Sequence, residues 1–501
     1  MMGTMTSRRR LLGLLAAGAA SPAMAGAPMA SLRPLPRGAE DAGLTRPPRR
    51  PEQIRPPSGA AIVDAFGLPG DVSFVIADAR SGEMLEVLRP LLRQPPASTA
   101  KALTALYALD RLGPDHRFVT RLVATGPLRD GRVEGDLVLV GGGDPALDTD
   151  GLGRLAARLK DAGVHEVTGR FGLLTDALPL VAEIDPEQPP HVAYNPAVGA
   201  LNLNFNRVYF EWIRRAQGYE VKMDARSAAF SPRVSTARMQ VVDRALPVYT
   251  YNRGDGVDEW TVARRALGGG GARWLPVRRP DLYAAEVFQT LARSHGIVLD
   301  APEPVGALPD ATADLARHES APLSVILKGM LRHSTNLTAE AVGLAASARR
   351  GAAPETLAAS AGQMNDWIAE ELGGREPALV DHSGLSGASR IAAVDMVQTL
   401  MHVGRTAPLA PLLKPFPVED ASVPLSVSAK TGTLNFVSAL AGYLTAPSGR
   451  ELAFAILTSD LDRRDALSEA ERERPPGGKA WAGRSRTLQR RLLATWAVAH
   501  A

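Results

Sequence analysis

Residues 95–109 read PPASTAKALTALYAL: two prolines, small residues and a hydroxyl, then an apolar run with one charge near its start. The run predicts a helix from about Ser98 to Leu112, closed by Gly113-Pro114. Ser98 and Lys101 are three residues apart, close to one helical turn, so both fall on one face. The lysine stands out, because only seven of the 57 basic residues are lysine. Arginine keeps its proton at any useful pH, whereas a lysine sunk in an apolar helix can lose it and activate a neighbouring hydroxyl. Taken alone, the pair also fits an N-cap serine beside a solvated lysine.

Composition narrows the field. A chain of 501 residues, 45% hydrophobic and 22% charged, belongs to a globular protein of two or three domains with ample core. The net charge of +4, without interleaved aromatic and basic residues, points away from a nucleic-acid-binding surface. It is compatible with a weak attraction to an anionic envelope polymer. There is no cysteine, which excludes disulfides, thiol catalysis and cysteine-ligated metals. Residues 6–25, TSRRRLLGLLAAGAASPAMA, have the charged start, short apolar run and small-residue end of an export signal. Ser7-Arg8-Arg9 ahead of Leu11-Leu12 gives it a twin-arginine character. We expect a signal over 1–25, a Pro/Arg-rich linker over 26–58, and periplasmic or envelope localisation.

Beyond the linker, DVSFVIADARSGEMLEVLRP alternates like a hairpin around Ala79–Gly82. Short β-like runs follow from Phe118 to Leu147, then a helix, then strand-like and proline-broken sequence to about Trp274. Leu323, Ile326, Leu327, Met330 and Leu331 recur at helical spacing. Residues 426–460 predict three strands, with Pro447-Ser448-Gly449 as one turn, and the chain closes on a helix. The glycines at 268–271 precede no Gly-Lys-Ser/Thr and form no phosphate cradle.

Two further motifs complete a set. Ser334-Thr335-Asn336 is the only Ser-x-Asn and follows the apolar helical face; Lys430-Thr431-Gly432 is the only Lys-Thr-Gly and opens a strand-like run. Ser-x-x-Lys, Ser-x-Asn and Lys-Thr-Gly, in this order, are the motif set of penicillin-binding proteins and serine β-lactamases. Each part has a chemical use. Ser334 can relay a proton to a leaving amine, and the Asn336 amide can hold a substrate carbonyl. Lys430 offers charge for a terminal carboxylate, with the Thr431 hydroxyl beside it, and Gly432 leaves room along the strand. The N–H groups of Ser98 and Thr433 would form an oxyanion hole, worth about 3–4 kcal/mol per donor.

With PASTAKALTALYALDRLGPDHRF, GDLVLVGGGDPAL, SAPLSVILKGMLRHSTN and DHSGLS at their expected places, the chain resembles the D-alanyl-D-alanine carboxypeptidase/endopeptidases of the penicillin-binding protein 4 type. The resemblance implies an α+β fold, an antiparallel sheet flanked by helices in a β-lactamase-like catalytic domain, split by β-rich accessory domains. We expect catalytic segments at 59–145 and 305–501 and an insertion at 146–304. It implies that Ser98, Lys101, Ser334, Asn336 and Lys430 act in catalysis, and that Thr431, Gly432, Thr433, Ser383 and Gly384 bind substrate. It also implies peptidoglycan stem peptides and cross-links as substrates, β-lactams as covalent inhibitors, and no cofactor or metal. Two departures concern substrate recognition: Gly387 stands where a basic residue often follows SGLS, and Thr433-Leu434-Asn435 replaces Ser-Leu-Gln. His382 and Asp381 lack a Gly-x-Ser-x-Gly partner, so His382 reads as a loop residue near the site and no triad member. A β-lactamase-like hydrolase or esterase shares the nucleophile chemistry but not the long insertion. An inactive peptidoglycan-binding protein would retain the fold and take no penicillin adduct.

Overall fold

A computed structural model describes residues 57–500 apart from 352, 374, 376, 405–408 and 420. The expected export signal, and the linker up to residue 56, lie outside the described residues. Helix α1 (Gly59–Phe66), capped by the Ser58 hydroxyl, leads into strands β1 (Asp71–Asp78) and β2 (Met84–Leu88). A tight turn at 97–99 then starts helix α2 (Ala100–Leu112).

The chain next leaves for the insertion. Strands β3 (Val119–Ala124) and β4 (Leu137–Val140), helix α3 (Thr149–Asp161) and strand β5 (Phe171–Leu174) come first. Two three-stranded sheets follow. One holds β6 (Arg207–Arg214), β7 (Tyr219–Asp224) and a later strand, 270–276; the other holds three strands between 237 and 263. Helix α4 (Pro280–Ser294) and strands β8 (Pro302–Pro304) and β9 (Ala313–Glu319) bring the chain back. The five-stranded sheet is ordered β8-β5-β4-β3-β9, and one continuous core joins Leu122, Leu137 and Ala316 to Phe171 and Phe288. β3, β4 and β9 therefore pack with the insertion, not with the catalytic segments to which 59–145 and 305–501 assigned them. Strand pairing moves the junctions towards Phe118 and Ser320, where Ser320 N donates to Phe118 O.

Helices α5 (Leu323–His333), α6 (Asn336–Ala348), α7 (Leu357–Leu372) and α8 (Ala393–Gly404) come next. Strands β10 (Lys414–Pro415), β11 (Ser426–Leu434), β12 (Val437–Thr445) and β13 (Glu451–Ser459) precede the closing helix α9 (Gly478–Ala499). They build an antiparallel sheet ordered β10-β11-β12-β13-β1-β2, as the α+β expectation required. Strand periodicity sorts its two faces. Ala453, Ala455 and Leu457 face the helices α2 and α5–α8, while Leu452, Phe454 and Ile456 face α1 and α9. Small strand residues on the first face let α2 come close. Every residue from Ala100 to Ala108 is buried, so this part of α2 has no wet side. A lysine on it is dry wherever it points.

Candidate active site

Ser98 sits at the tip of the turn before α2. Thr99 closes the turn by donating from N and Oγ1 to Pro96 O (3.2 and 2.6 Å), and Ala97 adopts φ +46°. A left-handed alanine costs about 1–2 kcal/mol. The conformation seats the Ala97 carbonyl against Gly384, at φ +69°, where a Cβ would overlap that oxygen. Gly432 abuts the same turn: a Cβ there would stand 2.7 Å from Pro96 O and 2.8 Å from Ser98 N. The room it leaves is thus taken by the serine turn, which differs from the substrate space expected of it, and it brings β11 beside the Ser98 amide.

Lys101 is fully buried, and its Nζ donates to Asn336 Oδ1 (2.7 Å), Ser383 O (2.7 Å) and Ser98 Oγ (3.1 Å). Burial lowers its pKa to about 8, against the opposing charges of Glu340 and Asp381. Asn336 cannot turn its amide over without loss, because Nδ2 donates to Tyr194 O (2.8 Å). Tyr194 belongs to the insertion, whose loop reaches into the site. That loop is pinned from behind: Arg278, itself buried, donates to Asn195 O (2.7 Å), Ala182 O (3.0 Å) and Pro190 O (3.1 Å).

Ser334 is the left-handed residue (φ 58°, ψ 41°) at the break between α5 and α6. The kink turns its Oγ to Lys430 Nζ, which donates to it (3.0 Å) and to Thr431 O (2.6 Å). Lys430 is almost fully buried, and burial, then Lys101 and Lys414, holds its pKa well below the ordinary lysine value. Thr433, at the exposed end of β11, lines a cleft of about 580 Å³ with Ser98, Ser334, Asn336, Gly384 and Leu385. Glu187, Gln188 and Tyr194 of the insertion close its other side.

The D-Ala-D-Ala carboxypeptidase 3 (S13) family matches residues 60–473. The chain belongs to this family. It is 30% identical over 445 residues to the D-alanyl-D-alanine carboxypeptidase of Actinomadura sp. (strain R39), covering 80% of each. It is 27% identical over 403 residues to the D-alanyl-D-alanine carboxypeptidase DacB of Haemophilus influenzae, covering 75% of this chain and 82% of that one. The crystal structure of penicillin binding protein 4 from Haemophilus influenzae superposes with a TM-score of 0.71 at 21% identity, over 87% of this chain and 99% of the other. A second structure of that protein is a complex with a β-lactam.

Within this S13 chain the five motif side chains converge, and several others differ from expectation. Ser383 is fully buried. Its carbonyl faces Lys101, its N donates to Glu340 Oε1 (2.9 Å), and its Oγ turns to Asp381 (3.4 Å). It supports the lysine from behind and does not line the cleft, whereas Gly384 does. Glu340, which sequence reading passed over, is fully buried and accepts from the amides of His382 (3.0 Å) and Ser383 (2.9 Å). Burial and the nearby Asp381 raise its pKa to about 8. Its signal was a lone acid in the apolar helix NLTAEAVGLAASA, four residues and one turn after Asn336. His382 is buried, and burial holds its pKa down to about 3. Its Nε2 meets Ser360 Oγ (2.7 Å), so the imidazole is a neutral packing group.

Proposed function

We propose that this chain is a serine D-Ala-D-Ala carboxypeptidase/endopeptidase that cleaves peptidoglycan stem peptides and cross-links through an acyl-enzyme on Ser98. One observation carries the assignment: the three partners of Lys101. A neutral amine has two N–H bonds and one lone pair. Asn336 Oδ1 and Ser383 O are acceptors only, so they take the two N–H bonds. The lone pair then faces the Ser98 hydroxyl at 3.1 Å. Lys101 takes the hydroxyl proton as Oγ attacks the carbonyl of the penultimate D-alanine. The N–H groups of Ser98 and Thr433 hold the oxyanion. As the C–N bond breaks, Ser334, hydrogen-bonded to Lys430, passes its proton to the departing amine and recovers the one that Lys101 took, so that Lys101 is neutral again. Water then cleaves the ester: Lys101 takes its proton and returns it to Ser98 Oγ as the acyl C–O bond breaks, which restores the starting state.

Lys430 binds the terminal carboxylate, which supplies the anion its own surroundings lack. β10 pairs with β11 only at Ser428 and Ala429, so β11 from Lys430 onward keeps an open edge for an extended peptide. A β-lactam attacked by the same route leaves its acyl group on Ser98. The charged, apolar, small-residue order of residues 6–25 supports export to the periplasm or envelope.

The test is mass spectrometry after penicillin treatment, with release of D-alanine from a pentapeptide measured in parallel. An adduct on the Ser98 peptide, lost in Ser98→Ala, is expected. No adduct, or an equal adduct on the variant, defeats the assignment. Rapid turnover of a cephalosporin without release of D-alanine would favour the β-lactamase-like alternative.

A further inference from the structure

Four cations line the cleft that none of the three motifs supplies, Arg464, Arg472, Lys479 and Arg486, and of these Arg464 is the one whose side chain is hydrogen-bonded at the end of β11. Arg464 lies on the short helix Leu461–Asp465 that follows β13, and it lines the cleft together with Ser98, Thr433, Leu434 and Asn435. Its guanidinium is positioned from two sides. Nη1 donates to Asn435 O (3.1 Å), and the group fills the space over Gly387. A Cβ at 387 would overlap Nη2 and stand 3.0 Å from Cζ and 3.1 Å from Nε. Any other residue at 387 would push the guanidinium aside.

Arg464 is half-buried and forms no ion pair among the described residues. Glu187 and Asp465 also line the cleft and act on Arg464 from a distance, as does Asp185. Glu187 itself is engaged by Arg472 (3.8 Å). Arginine desolvated without a bound carboxylate keeps most of its fork of donors free for one.

Its place along β11 says which part of a ligand it would meet. Lys430 and Gly432 beside the Ser98 amide follow one another along the strand, and Asn435 beside Arg464 comes directly after its last residue. At about 3.3 Å per residue, Lys430 and Leu434 are roughly 13 Å apart. A peptide lying extended here, with its terminal carboxylate at Lys430, puts the residue before D-Ala-D-Ala about 7 Å back along the same line. A long side chain on that residue spans the remainder. We propose that Arg464 is a specificity-determining residue that binds a carboxylate at the end of the side chain preceding D-Ala-D-Ala. This rests on the reading of the cleft as the stem-peptide site.

The experiment compares acyl-X-D-Ala-D-Ala peptides in which X ends in a carboxylate (diaminopimelate) or in the corresponding amide. The full chain is used, with Arg464→Gln, Arg464→Lys and Gly387→Ala as variants, and the quantity read is the ratio of kcat/KM for the two peptides. The wild type is expected to favour the carboxylate by roughly ten- to a hundredfold, the range of one charge-assisted contact. Arg464→Gln should bring the ratio close to one, Arg464→Lys should keep part of it, and Gly387→Ala should reduce it with the arginine still present. No wild-type preference overturns the proposal. So does a ratio unchanged in Arg464→Gln, even if both rates fall, because that is the behaviour of a residue that only pins Asn435. A wild type that neither takes a β-lactam on Ser98 nor releases D-alanine overturns the underlying reading itself, and the proposal with it.

Discussion

The surroundings of Lys101 and Lys430 make an instructive contrast. Both amines are buried, and burial lowers both pKa values. Behind Lys101 stand two acids, Glu340 and Asp381, whose charges oppose the effect of burial. The charges acting on Lys430 are both cationic, Lys101 and Lys414, and they add to it. The lysine at the nucleophile therefore carries its counter-charge within the protein and is held near a pKa where it can both take and return a proton. The other leaves its counter-charge to a ligand. One residue type thus serves two ends, and the difference lies in the neighbours.

The sharpest way to break this contrast is to make the first lysine unable to release a proton. Lys101→Arg keeps a cation and donors but removes the base. Acylation of Ser98 by a β-lactam should fall by about a thousandfold or more, within the range of general-base catalysis. Retention within tenfold of the wild-type rate, followed by stopped-flow or intact-mass measurement, would show that proton transfer does not run through this position.

Lys430→Ala attacks the other member. The loss should be smaller, roughly ten- to a hundredfold, as for one charge-assisted hydrogen bond. It should appear mainly as a raised KM for peptides that end in a free carboxylate. If a peptide ending in an amide suffers the same loss, Lys430 acts on the chemical step and the contrast drawn here is wrong.

The legible parts of the molecule were those written in short-range spacing. Ser98 and Lys101 lie one helical turn apart, Asn336 opens α6, and Lys430 stands midway along a strand whose alternation is plain in the sequence. The dryness of Lys101 was only half legible: the run around it is apolar, but the pair fitted a solvated lysine as well, and only the fold buries every residue from Ala100 to Ala108. What escaped depended on contacts between distant segments. β3 and β9 pair across nearly the whole insertion, and β8 has only three residues, so no local pattern marked the junctions. The role of Ser383 turns on which of its atoms faces Lys101, and spacing carries no such information. Tyr194 enters through its backbone carbonyl, so its side-chain identity gave no hint. The loop's shape owes much to Asn204, Phe205 and Asn206, three consecutive residues at positive φ. Asn206 donates to Ala197 O (2.9 Å) and Asn202 Oδ1 (2.8 Å), a network that a run of asparagines suggests only after the fold is known.

The smallest expected effect is the most discriminating, because it concerns the acids that distinguish the two lysines. Glu340→Gln keeps the shape of the side chain and removes its charge. One of the two amides it serves, His382 N or Ser383 N, loses an acceptor, so a stability loss of about 1–3 kcal/mol is expected whatever its role in catalysis. The pH profile separates the two contributions. In the wild type Lys101 must be neutral to accept the proton, so acylation should decline as pH falls through about 8. Glu340 itself ionises near 8, so its charge develops in the range where Lys101 loses its proton and raises the Lys101 pKa there; its removal lets burial lower that pKa further. The acidic limb should therefore move to lower pH, so that, each scaled to its own maximum, the variant exceeds the wild type by a larger factor near pH 6 than near pH 8. A merely structural glutamate would depress the whole curve without moving the limb. An unmoved limb would mean that the counter-charge of Lys101 resides in Asp381 alone.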